Sequence, residues 1–397
     1  MIHISDRIST INESQTLGMA KLGRELKNKG IDIINLSLGE PDFQTPEHIK
    51  EAAIQAIRDN FTYYPPVAGY QDLREAISNK FKRDNHLDYS PNNIMVSTGA
   101  KHSIMNVILS LVNPGDEVII PIPYWVSYST MVTFAEGQPV YVKSTIDTDF
   151  KPSIEAIEKA ITPKTKLLIY SSPCNPSGSV MNEKELKDLA DLIERHPQIY
   201  VISDEIYEHI NFIGKHLSIA SYSNIFERVI TVNGVAKGFS MTGWRIGYIG
   251  DALPIIQACE KLQGQFTSGA CSISQKAAVA ALNGPLQPTI DMKEAFLRRR
   301  NLIVDGFKKM PNIRCNNPEG AFYIFPDISA YFGTSYENYQ IKDAQDFAMI
   351  LLEKANVATV TGDAFGSPEN LRISYAASDT DIQKAIDRIG NAISLLK

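Results

Sequence analysis

Residues 229–237 read Val229-Ile230-Thr231-Val232-Asn233-Gly234-Val235-Ala236-Lys237. The first four are β-branched, which suits a strand covered on both faces. Gly234 then permits a sharp turn, and a lysine follows. Working outward, comparable short runs recur at residues 94–97, 118–121, 140–142, 167–170, 200–203 and 245–249. Helix-like segments separate them at 100–112, 128–135, 154–160 and 183–195. Asn182 ahead of Glu183-Lys184-Glu185 reads as an N-cap with first-turn acids. Alternating β and α segments predict a mostly parallel sheet with helices on both faces. Ligands of such sheets bind beyond the carboxyl ends of the strands, so the residues just after each run are the first place to look for chemistry.

The last third changes character. A long helix is predicted from about residue 290, and its Arg298-Arg299-Arg300 reads as a solvated face. Short strands follow at 320–326, 357–360 and 371–374, flanked by helices at 343–355 and 379–396. The N-terminal helix 16–29 and strand 33–36 are expected to join them. The division predicted is a large domain over residues 47–285 and a smaller α+β domain formed by 1–46 with 286–397. Two domains without a flexible linker usually hold a site in the cleft between them.

Composition excludes several classes. The chain has 397 residues, with 39 Lys+Arg against 45 Asp+Glu, a net charge of −6. Neutralising a nucleic-acid backbone or an anionic membrane needs a basic excess that is absent here. No apolar run approaches the ~18 residues that span a bilayer. Residues 1–20 carry Asp6, Arg7, Asn12 and Glu13 without an apolar core, unlike a secretory leader, so a cytoplasmic location is expected. The four cysteines are too few and too scattered for a disulfide framework. The histidines form no metal-binding spacing, and His209 and His216 read as structural, so no metal is expected.

The candidate chemistry follows strand ends. Ser97-Thr98-Gly99-Ala100-Lys101 runs from strand to helix and offers backbone N–H groups to a phosphate. Asn175-Pro176-Ser177-Gly178 follows the 167–170 run, and Asp204 with Tyr207 follows the 200–203 run. An acid there suits a cation or a protonated ring nitrogen. Lys237 is flanked by Gly234 and Gly238; a partly buried lysine gives up its proton readily and forms Schiff bases. Arg245 follows eight residues later and offers a fork to phosphate, and Arg372 comes late in the chain. In this order they are what pyridoxal phosphate needs to handle an amino acid.

The chain resembles the class I aminotransferases of fold type I over nearly its whole length, from about Thr16. The residues that carry the resemblance are Ser37-Leu38-Gly39-Glu40-Pro41-Asp42-Phe43, Tyr63-Tyr64-Pro65-Pro66, Pro123-Tyr124-Trp125, Ser172-Pro173-Cys174-Asn175-Pro176-Ser177-Gly178, Ser203-Asp204-Glu205-Ile206-Tyr207, Ala236-Lys237, Gly243-Trp244-Arg245-Ile246-Gly247 and Arg372-Ile373-Ser374-Tyr375. The fold implied is a large α/β domain on a mostly parallel seven-stranded sheet plus the smaller α+β domain. The cofactor implied is pyridoxal 5'-phosphate. Lys237 would hold it covalently and shuttle the proton, and Asp204 would pair with the ring nitrogen. Tyr207 and Asn175 would hydrogen-bond the ring oxygen, and Trp125 would stack on the ring. Gly99, Ala100, Lys101 and Arg245 would hold the phosphate. Arg372 and Gly39 would take the substrate α-carboxylate. Tyr64 would reach the phosphate of a partner subunit, which implies a homodimer.

Within the family the chain is similar to the bacterial aspartate aminotransferases that carry a lysine in the glycine turn. There Lys101 would meet the distal carboxylate, with Ser14 and Thr16 closing the pocket. A cation near a helix N-terminus is mildly unfavourable, so this lysine calls for an anionic partner. The reaction expected is L-aspartate plus 2-oxoglutarate giving oxaloacetate plus L-glutamate. Aromatic or prephenate transamination on the same scaffold is the alternative, with a lyase reaction behind it. Gly234 stands where many relatives carry a phosphate-binding serine, which leaves the contacts near Thr231 and Asn233 open.

Overall fold

The computed structural model describes residues 4–9, 11 and 15–397, apart from the side chains at 7, 9, 15 and 17. Ser14 lies outside the described residues. Seven strands form the main sheet: β1 Ile94–Ser97, β2 Glu117–Pro121, β3 Gln138–Val142, β4 Thr165–Ser171, β5 Tyr200–Asp204, β6 Val229–Gly234 and β7 Gly247–Gly250. Their order is β1-β7-β6-β5-β4-β2-β3. All pairs are parallel except those of β7, which runs antiparallel to both β1 and β6. β4, β5 and β6 are largely buried, as runs such as Leu167-Leu168-Ile169 and Val229-Ile230 require.

β7 departs from the predicted strand at 245–249. The segment between β6 and β7 contains no crossover helix, and a strand returning without one comes back antiparallel. Arg245 is not in the strand. It follows a single helical turn, Thr242–Trp244, and adopts a left-handed backbone with φ 56°.

Helix Glu183–Arg195 shows how locally the sequence fixes its elements. Asn182 Oδ1 accepts from the Glu185 amide at 3.0 Å, and Glu185 Oε2 accepts from the Asn182 amide at 2.8 Å. This reciprocal cap satisfies two amides that a helix start leaves free. Leu186, Leu189, Ala190 and Ile193 then turn one face to the sheet.

A separate apolar cluster gathers Ile34 and Leu36 with Met292, Phe296, Phe322, Tyr323, Ile373 and Ile389. The predicted strand at 357–360 is two pieces: Val357–Ala358 pairs with Ile34–Asn35, while Val360–Thr361 pairs with Leu371–Ser374. Of the predicted strand at 320–326 only Tyr323–Ile324 is regular. The arginine run is only in part a solvated face. Arg299 is buried, holding Asp42 at 2.6 and 2.9 Å and Asp379 at 3.1 Å, with its guanidinium over Phe43. A buried charge is tolerated when it is paired this fully.

Candidate active site

The parallel strands β4, β5 and β6 end at the same edge of the sheet, because Ser171 is in register with Asp204 and Asp204 with Val232. Asn175, Asp204 and Lys237 are thereby brought to one cleft of about 470 Å³, which Gly39, Ala100, Lys101, Trp125, Tyr207, Arg245 and Arg372 also line.

Asp204 is the last residue of β5 and is buried. Its Oδ2 accepts from the Tyr128 hydroxyl at 2.6 Å and its Oδ1 from the Ile206 amide at 3.3 Å. Burial pushes its pKa up to about 6, against the downward pull of those two donors. Lys237 lies just past β6 and donates to the Gly39 carbonyl at 2.5 Å. Burial, with the positive charges of Arg372 and Arg245, lowers its pKa to about 8. Part of this amine is therefore neutral near neutral pH and about half of it near pH 8, as a nucleophile requires.

Arg372 is only 2% exposed. Nη1 donates to Asn175 Oδ1 at 3.0 Å and Nη2 to the Ser37 carbonyl at 2.7 Å. Its Nε has no hydrogen-bond partner among the described residues. Because Asn175 accepts from Arg372 through its oxygen, its amide NH₂ remains available as a donor. The Tyr207 hydroxyl shares a 2.7 Å hydrogen bond with that of Tyr323, and burial raises the Tyr207 pKa well above its usual value.

Gly99 has φ +83° and caps helix Ala100–Leu111 without a side-chain acceptor. A Cβ at Gly99 would collide with the Arg245 guanidinium, and one at Gly247 with the Ala100 amide. Only glycines allow this cradle of backbone amides beside an arginine. Arg245 is anchored by the Thr242 carbonyl at 2.9 Å. Lys101 Nζ sits 5.1 Å from the Trp125 ring centroid, and burial with the Arg245 charge lowers its pKa. Trp125 meets Tyr128 edge to face at 5.4 Å.

Of the other predicted residues, Thr16 lines the cleft, its Oγ1 lacking a hydrogen-bond partner among the described residues. Tyr64 is not among the cleft residues; it is 92% exposed in the single chain. The question left open near Thr231 is answered in part. Its hydroxyl bonds the buried Tyr89 hydroxyl at 3.0 Å. Tyr128 and Tyr323 are among the cleft residues that escaped the sequence reading: Tyr323 sits in the apolar run 321–325 and Tyr128 in a predicted helix, where an aromatic residue signals core.

Two other clusters compare poorly as reaction sites. A larger cavity of about 670 Å³ lies beyond Tyr128 and Cys174. Its cations are already paired: Lys151 with Glu185, Lys184 with Asp188 and Arg195 with Glu158. Asp84, Glu208 and His209 offer ligand atoms within 4.8 Å of one another, but Lys80 already neutralises Glu208 there. His216 Nε2 lies 2.9 Å from Glu205 Oε2.

Residues 31–389 match the family model for class I and II aminotransferases. The chain is 47% identical over 396 residues to a probable aspartate/prephenate aminotransferase of Rickettsia bellii, covering 99% of each. It is 45% identical over 403 residues to a bifunctional aspartate aminotransferase and glutamate/aspartate-prephenate aminotransferase of Petunia hybrida, covering all of this chain and 84% of the relative. The solved aspartate aminotransferase of Rhizobium meliloti superposes with a TM-score of 0.96 at 41% identity over the full length of both chains. That of Thermus thermophilus, solved with maleate, gives 0.92 at 38% identity over 99% of this chain and all of that one. The chain belongs to the class I and II aminotransferases, enzymes that work with pyridoxal phosphate.

Proposed function

We propose that the enzyme moves the amino group of L-aspartate to 2-oxoglutarate, giving oxaloacetate and L-glutamate. One observation carries the choice of substrate: among the described residues Lys101, Lys237, Arg245 and Arg372 line one cleft that holds two acids, Glu40 and Asp204, and with Lys237 and Arg245 assigned to the cofactor, Lys101 and Arg372 are left for the substrate. Arg372 is buried with a free Nε, and Lys101 pairs with no carboxylate among the described residues. A dicarboxylate supplies one charge for each.

The residues fit pyridoxal phosphate. The glycine cradle beside Arg245 suits a phosphate, the anchored Asp204 suits a pyridine nitrogen, and Lys237 is an amine of lowered pKa in the same cleft. When bound, the cofactor supplies the sink for the electron pair left when the substrate Cα proton departs, and it carries the amino group from donor to acceptor. Lys237 would hold it covalently and would move the proton at Cα. Asp204 would keep the ring nitrogen protonated, which lets the ring accept the electron pair. Asn175 and Tyr207 donate to the ring oxygen, and Trp125 covers one ring face. The amides of Gly99, Ala100 and Lys101 join Arg245 on the phosphate. Arg372 binds the α-carboxylate through N–H groups it does not already use, with Gly39 alongside. Lys101 reads the distal carboxylate, helped by Thr16 and by Ser14.

We assign the large domain to residues 47–285 and the small domain to 1–46 with 286–397. A homodimer is proposed, in which Tyr64 completes the partner's site; the exposure of Tyr63, Tyr64 and Phe266 supports it. We place the enzyme in the cytoplasm. Among the described residues no helix is long and apolar enough to cross a membrane.

The test is an absorbance-monitored half-reaction with single amino acids. Aspartate and glutamate should convert the cofactor much faster than alanine or phenylalanine. Pyruvate or ammonia released without an oxo-acid acceptor would instead mark a lyase. The Rickettsia and Petunia relatives carry prephenate in their names, which favours a second reading with prephenate as an acceptor. Steady aspartate consumption with prephenate in place of 2-oxoglutarate tests it.

A further inference from the structure

We infer that Tyr323 is a positioning residue that ties the substrate-carboxylate side of the cleft to the side that serves the cofactor ring oxygen. Its hydroxyl and its ring serve different partners. This rests on the roles proposed above for Tyr207 and Arg372.

Tyr323 is fully buried and lines the cleft. Its hydroxyl shares the 2.7 Å hydrogen bond with the Tyr207 hydroxyl. Each hydroxyl has one proton to give. If Tyr207 gives its proton to the ring oxygen, Tyr323 must be the donor between them. A donor of this kind polarises the next hydroxyl and strengthens the bond it makes in turn. The ring has another task. The Arg372 guanidinium lies 4.7 Å from its centroid and 4.9 Å from that of Phe365. Two aromatic faces therefore fix the guanidinium while its Nε stays unpartnered. The Tyr323 hydroxyl also occupies the space that a Cβ at Gly39 would take, so residue 39 must be glycine for this tyrosine to reach Tyr207.

The experiment uses the holoenzyme and two readouts: the pH midpoint of the bound cofactor's absorbance change, and affinity for maleate, a dicarboxylate with no amino group. Tyr323→Phe removes only the hydroxyl. It should move the midpoint in the same direction as Tyr207→Phe, by less, and leave maleate affinity unchanged. In a Tyr207→Phe background it should move the midpoint no further. Tyr323→Leu removes the ring as well and should weaken maleate about tenfold, the scale of a desolvated cation–π contact; circular dichroism confirms its fold. If Tyr207→Phe shifts the midpoint and Tyr323→Phe does not, the inference is overturned while the site reading stands. It is equally overturned if the two shifts add, or if Tyr323→Phe weakens maleate as much as Tyr323→Leu. If Tyr207→Phe itself moves nothing, the assignment of Tyr207 fails and this inference with it.

Discussion

The buried hydroxyl of Tyr128 donates to Asp204 Oδ2 at 2.6 Å. The same tyrosine packs edge-on against Trp125 at 5.4 Å. One side chain thus supports both the residue assigned to the ring nitrogen and the residue assigned to the ring face.

The first prediction concerns that bond. A hydrogen bond to a charged acceptor is worth about 1.5–3 kcal/mol. Tyr128→Phe should weaken binding of pyridoxal phosphate to the cofactor-free protein by roughly 10–100-fold on that scale. The sign of the pH effect follows from the pKa. Tyr128 lowers the Asp204 pKa, which burial sets near 6. Removing the donor moves that pKa up, so the affinity lost on acidification should begin at higher pH. In an Asp204→Ala background the same change should have little effect, and equal effects in both backgrounds would separate Tyr128 from Asp204.

A second prediction concerns Lys237. Its amine attacks only when neutral, and its pKa is lowered to about 8. Incorporation of pyridoxal phosphate into the cofactor-free protein should therefore accelerate as pH rises through about 8, well below the range of an ordinary lysine. Borohydride reduction followed by peptide mapping should place the label on Lys237. Label on another lysine would remove Lys237 from the mechanism, whatever its geometry.

The sequence revealed the sheet because its strands are nearly continuous apolar runs, and the strand ends then pointed to Asn175, Asp204 and Lys237. Features that depend on contacts between distant residues were not legible. Arg299 belongs to a charged run, and charge alone suggests solvent. Its partners Asp42 and Asp379 lie 257 and 80 residues away. Arg245 sits beside an apolar run but bends away through a left-handed backbone that hydropathy does not register. Tyr128 and Tyr323 look like any buried aromatic until the hydroxyl's partner is known. Tyr64 is the opposite case, since one chain shows only its exposure.

The third prediction tests Tyr64 across the proposed dimer. Chains carrying Lys237→Ala should be inactive by themselves, and chains carrying Tyr64→Phe should be weakened. In a mixed dimer one site has both lesions and the other has neither, if Tyr64 reaches across the interface. Mixing should then raise activity above that of either parent. A purely intrachain role for Tyr64 predicts no gain, because every site with an intact Lys237 would keep its own altered Tyr64.

The last prediction separates substrate recognition from cofactor binding at Lys101. This residue opens the helix behind the glycine turn, and its ammonium lies over Trp125 at 5.1 Å. Burial and Arg245 lower its pKa, so the site already disfavours its charge. An incoming carboxylate would reverse that penalty, whereas a neutral donor side chain would not. A charge-assisted hydrogen bond is worth about 1.5–3 kcal/mol, so Lys101→Ala should cut kcat/KM for aspartate and glutamate roughly 10–100-fold. Alanine and phenylalanine have no second carboxylate to lose and should be affected little. The lysine also lies close to the phosphate cradle, so the contrast between donors is the measurement that matters. A comparable loss for aspartate and alanine would assign Lys101 to the phosphate or the helix, and the dicarboxylate reading would then lose the cation on which it rests.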